Sequence, residues 1–229
     1  MLQLQYKNKT ITANHWDELS ADEFIELFRR INASWYGPVG RLELHKWLYD
    51  NQCSPRFLID TLEVPEKIPG LTKTLYGPED GFRNITMGQF LFAETFYYAF
   101  LRDNDSRFLH KFLAALFLEK GKKFTEKDID TRAQLFENVI FETAQAILFN
   151  YGAVRKDMTL KLKNLFPPPR ETEKKELKAQ DIQIPKWDEW MWKLSDGNTD
   201  ADFDKVANSL VRNILKKIDT LIYESRRKK

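Results

Sequence analysis

Cysteine is almost absent from this chain: Cys53 is the only one in 229 residues. No disulfide can form within the chain, which excludes a stapled secreted scaffold. Glycine and proline are sparse, nine of each, so collagen-like and low-complexity architectures are excluded too. No run approaches the roughly 18 uncharged apolar residues of a membrane span. The start, MLQLQYKNK, lacks the basic-then-apolar pattern of a secretory signal, and the sequence predicts a soluble protein, intracellular at synthesis. An excess of one charge is also missing. The 36 Lys and Arg face 34 Asp and Glu, distributed as −3 over residues 1–80, +3 over 81–169 and +2 over 170–229. No segment has the one-signed field of a dedicated nucleic-acid binder.

What the chain does have is apolar and aromatic side chains. Hydrophobic residues make up 42%, with 17 Phe, 8 Tyr and 6 Trp, enough for a packed core and too many for wholesale disorder. Two stretches break the pattern. Between Val64 and Asn84, Pro65, Pro69, Gly70, Gly77, Pro78 and Gly81 interrupt a segment of little helical periodicity. After Phe166, the block Pro167-Pro168-Pro169 opens the polar run RETEKKELKAQD, which reads as a stiff, extended spacer because proline lacks the amide donor and restrains the residue before it. These breaks divide the chain into an N-terminal part (1–80), a core (81–166), a Pro-rich linker (167–185) and a C-terminal arm (186–229).

The fold class expected is mainly α: a helical bundle with a small N-terminal β-hairpin and a C-terminal helical arm. Leu2, Leu4 and Tyr6 alternate with polar residues, Lys7-Asn8-Lys9 supplies a turn and Ile11 resumes the alternation, the only strand signal recognised. Ser20 to Glu23 has capping-box spacing ahead of the helical stripe Phe24, Leu27, Phe28 and Ile31. Leu42, Leu44, Trp47 and Leu48 indicate a second helix, and Phe57, Leu58, Thr61 and Leu62 a short third one. Thr86 to Gln89 repeats the capping-box spacing before FLFAETFYYAFL, apolar on nearly every side, as is Val139 to Phe149. Both helices are therefore expected at the centre, with Phe96 and Leu148 in the core. Asp105 or Ser106 caps a helix between them carrying Phe108, Leu109, Phe112, Leu113, Leu116 and Phe117, and Thr125 to Asp128 opens another. Four helices are thus expected between Thr86 and Leu165. Beyond the linker, one final helix capped by Asp200 or Asp202 carries the stripe Phe203, Val206, Leu210, Ile214, Ile218 and Leu221. Such a stripe is expected to be buried by another chain or by another part of this one.

Templates for chemistry do not fit. His15, His45 and His110 lack ligand spacing, Cys53 has no nucleophile signature, and Gly88 and Gly152 belong to no phosphate-binding loop. The run Asp196 to Asp202 has the carboxylates of a calcium loop but places Ala201 and Ala207 where the turn glycine and closing glutamate belong. No enzyme activity, metal or cofactor is expected. Basic residues gather at Lys120, Lys122 and Lys123, at Arg155, Lys156, Lys161 and Lys163, and at the terminal Arg226 to Lys229; the last four could bind phosphates but also suit a helix C-terminus, and they read as a solvated tail. Trp187, Trp190 and Trp192 cannot share one helical face, which leaves core packing and partner contact equally open. Together with the stripe of the last helix they form the expected partner-binding set.

Ile11-Thr12-Ala13-Asn14-His15-Trp16-Asp17-Glu18-Leu19-Ser20, followed by Glu23-Phe24, resembles the opening of tailed-phage tail assembly chaperones and related virion-assembly proteins. Ile85 to Phe90 with Ala93-Glu94, and Phe108 to Phe117, are similar to core helices of the same group. The departures are an insertion from Trp35 to Gly81 and the Pro-rich spacer. The resemblance implies a non-enzymatic assembly protein that binds other phage structural proteins, such as a tape measure, tail or connector subunit, in the host cytoplasm. The alternative is a head-to-tail connector or neck ring subunit, a homo-oligomer retained in the virion. Neither role involves a membrane or nucleic acid.

Overall fold

Two short strands open the chain. In the computed structural model, which describes residues 2–33, 44–48, 50–65, 71–167, 195 and 200–227, β1 (Leu2–Tyr6) pairs antiparallel with β2 (Lys9–Ala13). Lys7 and Asn8 make the turn, both at positive φ. Helix α1 (Ala21–Asn32) starts on a capping box: the Ser20 side chain accepts from the Glu23 amide and the Glu23 carboxylate accepts from the Ser20 amide. Its buried face is Phe24, Leu27, Phe28 and Ile31, and it packs against the long helix described below as α5. Residues 44–48 are also helical.

A second sheet replaces the expected third helix. β3 (Thr61–Pro65) and β4 (Thr72–Tyr76) pair antiparallel with Leu62 opposite Leu75, and β4 pairs with the two residues Leu118–Glu119, here β5. The expectation that Phe57, Leu58, Thr61 and Leu62 share a helix is thus corrected, as is the view that the N-terminal hairpin holds the only strands. The physical reason is visible in Thr61-Leu62-Glu63-Val64, where Leu62 and Val64 point inward and their neighbours outward, the period-two pattern of a strand.

Helix α2 (Met87–Asp103) has the expected Thr86–Gln89 capping box. α3 (Ser106–Leu116) is capped by Asp105 and packs along α2. The short α4 (Ile129–Ala133) leans on α3, and α5 (Phe141–Lys161) runs through the middle. Phe90, Phe112 and Ile147 are fully buried or nearly so, whereas Phe96 and Leu148 are only partly buried at the margin. An aromatic stack forms the centre: Tyr151 lies 5.0 Å from the rings of both Phe82 and Phe112 and 5.3 Å from Tyr97. At the N-terminal end Phe149 meets Trp16 at 5.7 Å and Phe28 at 5.9 Å.

The C-terminal helix is two helices. α6 (Asp200–Ala207) and α7 (Val211–Arg227) are separated at Asn208-Ser209-Leu210. The Asn208 and Ser209 side chains bond back to the carbonyls of Asp204 and Lys205, the local competition that ends helices at such residues. The freed backbone then bridges to the start of α2: Met87 N–H donates to Ser209 O at 2.8 Å and Val211 N–H to Ile85 O at 2.9 Å. Gly88 permits this approach, since a Cβ there would sit 3.3 Å from Ala207 O. Among the described residues, one hydrophobic cluster runs from Leu2 to Ile218. No described helix is long and apolar enough to cross a membrane.

Candidate functional site

The stripe assigned to the last helix does not stay on one face, because the 208–210 break resets the helical phase. Val211, Leu215 and Ile218 are buried against the core of the same chain. Phe203, Val206 and Ile214 are partly buried against it. Leu210 and Leu221, by contrast, are 41% and 48% exposed. At 3.6 residues per turn these two leucines and Ile214 border the buried face, so the apolar arc of α7 is wider than the core that covers it. Trp187, Trp190 and Trp192, the other members of the expected partner-binding set, lie outside the described residues, as do residues 168–185 of the linker.

From Leu210 onward a cleft of about 770 Å³ opens between α7, the last turn of α5 and the 80–83 turn. Its apolar surface comes from Pro55, Met158, Leu162 and Leu210. The 80–83 turn forms one wall in an uncommon conformation: Gly81 and Phe82 both have positive φ, 61° and 58°. A bulky residue rarely adopts that region, and here the completely buried Phe82 ring, packed on Tyr151, Phe57 and Phe90, holds it there. Gly81 N–H donates to Pro55 O at 2.6 Å. The Arg212 guanidinium lies over the turn, 3.9 Å from the position a Gly81 Cβ would occupy.

The charges of the cleft are unequally engaged. Each of its acids is committed to the fold: Asp80 accepts from Phe57 N–H at 2.8 Å, and Asp157 pairs with Lys161 at 2.6 Å. Asp219 accepts from the amides of Asn164 and Leu165, both at 2.8 Å, and from the Asn164 side chain at 3.0 Å. Those bonds hold the Asp219 carboxyl below its ordinary range; burial, the largest single influence, works the other way and is outweighed. Among the described residues, Arg212 and Lys216 make no ion pair, and Arg83 reaches only Glu79, at 3.8 Å. The cleft thus brings the cations Arg83, Lys161, Arg212 and Lys216 together with the carboxylates Asp80, Asp157 and Asp219 around apolar surface.

A second polar cluster is internal. Glu94 on α2 is completely buried, accepting from Tyr151 Oη at 2.8 Å and from Arg155 Nε at 2.8 Å to each carboxylate oxygen. Burial raises the Glu94 carboxyl above its ordinary value, while Arg155 and the Tyr151 bond pull it down. Burial likewise lifts the Tyr151 hydroxyl well above the usual tyrosine range, assisted by the neighbouring carboxylate. Tyr98 covers the Arg155 guanidinium at 5.2 Å. Every charged group in this cluster meets its partner within the core, the arrangement of a structural clamp between α2 and α5.

The residues weighed for chemistry stay apart. His15 is tied to Asp17 at 2.7 Å, and Cys53 is half-buried, its thiol pushed up chiefly by burial. Among the described residues no three His, Cys, Asp or Glu side chains gather into a metal-binding group. Arg155, one of the basic residues clustered near the end of α5, is the mostly buried partner of Glu94. The cleft itself was not anticipated. Its walls come from residues 55, 80–83, 157–162 and 210–220, and only the basic, polar faces of the last helix were visible in the pattern. Comparison of the chain with protein-family models, with curated proteins and with solved structures finds no match.

Proposed function

We propose that this chain is a non-enzymatic assembly protein that works through protein–protein contacts, in the manner of a tailed-phage tail assembly chaperone, with α7 and the adjoining cleft as its contact surface. The observation that carries the reading is the half-covered α7: Val211, Leu215 and Ile218 anchor it to the core, while Leu210, at the rim of the cleft, and Leu221 remain exposed. Leucines left exposed at the start and in the middle of one helix are suited to an apolar partner. The phage assignment rests on the resemblance alone. The residues that carry it perform folding tasks here: Trp16, Leu19 and Phe24 are buried, and Ser20 and Glu23 form a cap.

Co-expression with a tape-measure protein tests the reading. The full chain should co-purify with it, and L210D/L221D should lose that association while keeping its thermal transition, since both positions are exposed. A wild-type chain that does not associate contradicts the chaperone role. Stoichiometric presence of the chain in finished particles would replace that role with the connector one.

A further inference from the structure

From the turn that follows β5 we infer a second contact site, for single-stranded nucleic acid: backbone phosphates on Lys120, Lys122 and Lys123 and a base stacked on Tyr76. No described residue of α7 lines this site, and the inference does not rest on the role given to that helix.

The site is a depression of about 400 Å³ between the end of β4, residues 118–124 and the start of α2. Lys122 N–H donates to Glu119 O at 3.0 Å, closing a tight turn in which Gly121 has a φ of 75°, a left-handed conformation that costs glycine little. A Cβ at Gly121 would meet nothing within 4 Å. The turn thus stands clear of the body of the protein, and Lys120, Lys122 and Lys123 are all exposed on it.

Charge there is one-sided. Among the described residues the depression is lined by those three lysines and by one carboxylate, Glu119, which is already paired with Lys73 at 2.7 Å. The Lys73 bond holds the Glu119 carboxyl below its ordinary range against the opposing effect of partial burial, and Lys122 and Arg132 add to it. Counting Lys73, four cations stand against one anion. The three lysines themselves make no ion pair among the described residues. Asp128, Glu126 and Asp204 line the neighbouring depressions instead.

Tyr76 supplies the other component. As the last residue of β4 it is paired with Leu118, which sets both side chains on one face of the sheet, and it is 42% exposed. Among the described residues its ring stacks on no other ring and its hydroxyl has no hydrogen-bond partner. An acidic peptide would use the lysines and leave this ring idle, and an apolar ligand would do the reverse. A single strand presents phosphates and unstacked bases together, the combination held by cationic grooves with aromatic platforms. Bases inside a duplex are stacked on one another and are closed to Tyr76.

Fluorescence anisotropy of the full chain with a labelled oligothymidine at physiological salt tests the site. Binding should be saturable, and the association constant should fall as salt rises with a log–log slope of about −2, from three phosphates at about −0.7 each. K120E/K123E should weaken binding at least about tenfold, whereas K216E/K217E, an equal change of net charge on exposed residues of α7, should alter it less than about twofold. Y76A should weaken it at least about fivefold and Y76F leave it nearly unchanged, because stacking needs the ring and not the hydroxyl. All four variants should keep the wild-type thermal transition, the substituted residues being exposed. Unlabelled duplex, polyglutamate and thymidine monophosphate should each compete at least about tenfold less well than unlabelled oligothymidine. Equal competition by polyglutamate would reassign the patch to an acidic protein, by duplex to a backbone contact without a base, and by the mononucleotide to a nucleotide pocket; each result overturns the inference. So would absence of binding, equal effects of the two lysine pairs, or indifference to Y76A.

Discussion

Glu94 shows how much one buried residue can fix. Its carboxylate receives Tyr151 and Arg155 from successive turns of α5, so removing its charge leaves Arg155 with no counterion in a mostly buried site. Glu94→Gln should cost on the order of 3–5 kcal/mol, toward the lower end because the Arg155 side chain keeps 21% of its exposure. Tyr151→Phe deletes one donor and leaves the ion pair intact, for about 1 kcal/mol. Denaturant midpoints giving equal losses for the two variants would contradict the clamp. Asp219 governs a different property. Because its folded-state value lies below that of an unfolded aspartate, about 3.9, its contribution is present above that pH and is lost as pH falls through the lower folded value. Acid unfolding of wild type should therefore steepen below about pH 4, and Asp219→Asn should flatten that part of the profile. Superimposable acid profiles would show that Asp219 is not what fastens Asn164 and Leu165 to α7.

At the scale of elements, α7 has two apolar sides with different duties. Leu215 is completely buried and Leu221 is 48% exposed. Leu215→Ala should cost about 2–5 kcal/mol through lost burial and an unfilled cavity, and Leu221→Ala should stay within about 0.5 kcal/mol. Comparable losses in chemical denaturation would mean that α7 lies on the core in a different rotation. The contrast also explains what the sequence could and could not reveal. The Ser20 and Thr86 caps were legible because every bond they make lies within four residues. β3 and β4 were harder: each is five residues long, Pro65 and the glycines around it resemble a break, and the pairing that stabilises them joins Leu62 to Leu75. The α6–α7 break had a signal in Asn208-Ser209, both poor helix formers that bond to their own backbone, but the unbroken spacing of apolar residues masked it. Ile218 keeps its inward position, while Leu210 and Leu221 fall to the edge. Arg212 and Lys216 were visible as charges on the helix. That Asp80 accepts from Phe57 and Asp219 from the Asn164–Leu165 turn depends on contacts between distant segments, which no local pattern encodes, whereas Asp157 and Lys161 pair within one helical turn.

For the whole molecule, the account depends on α7 being part of the fold of a single chain, anchored by Val211, Leu215, Ile218 and the two backbone bonds to Ile85 and Met87. Only then is the opposite edge free to receive a partner. A helix buried by a neighbouring subunit would instead gain its protection from association and lose it on dilution. Amide hydrogen exchange of the full-length chain, followed residue by residue as the protein is diluted, distinguishes these cases. The account predicts that amides from Leu215 to Ile218 exchange as slowly as those around Phe112 in α3, with no dependence on concentration. Exchange in α7 that accelerates on dilution, or that is as rapid as at the chain terminus under all conditions, would contradict it.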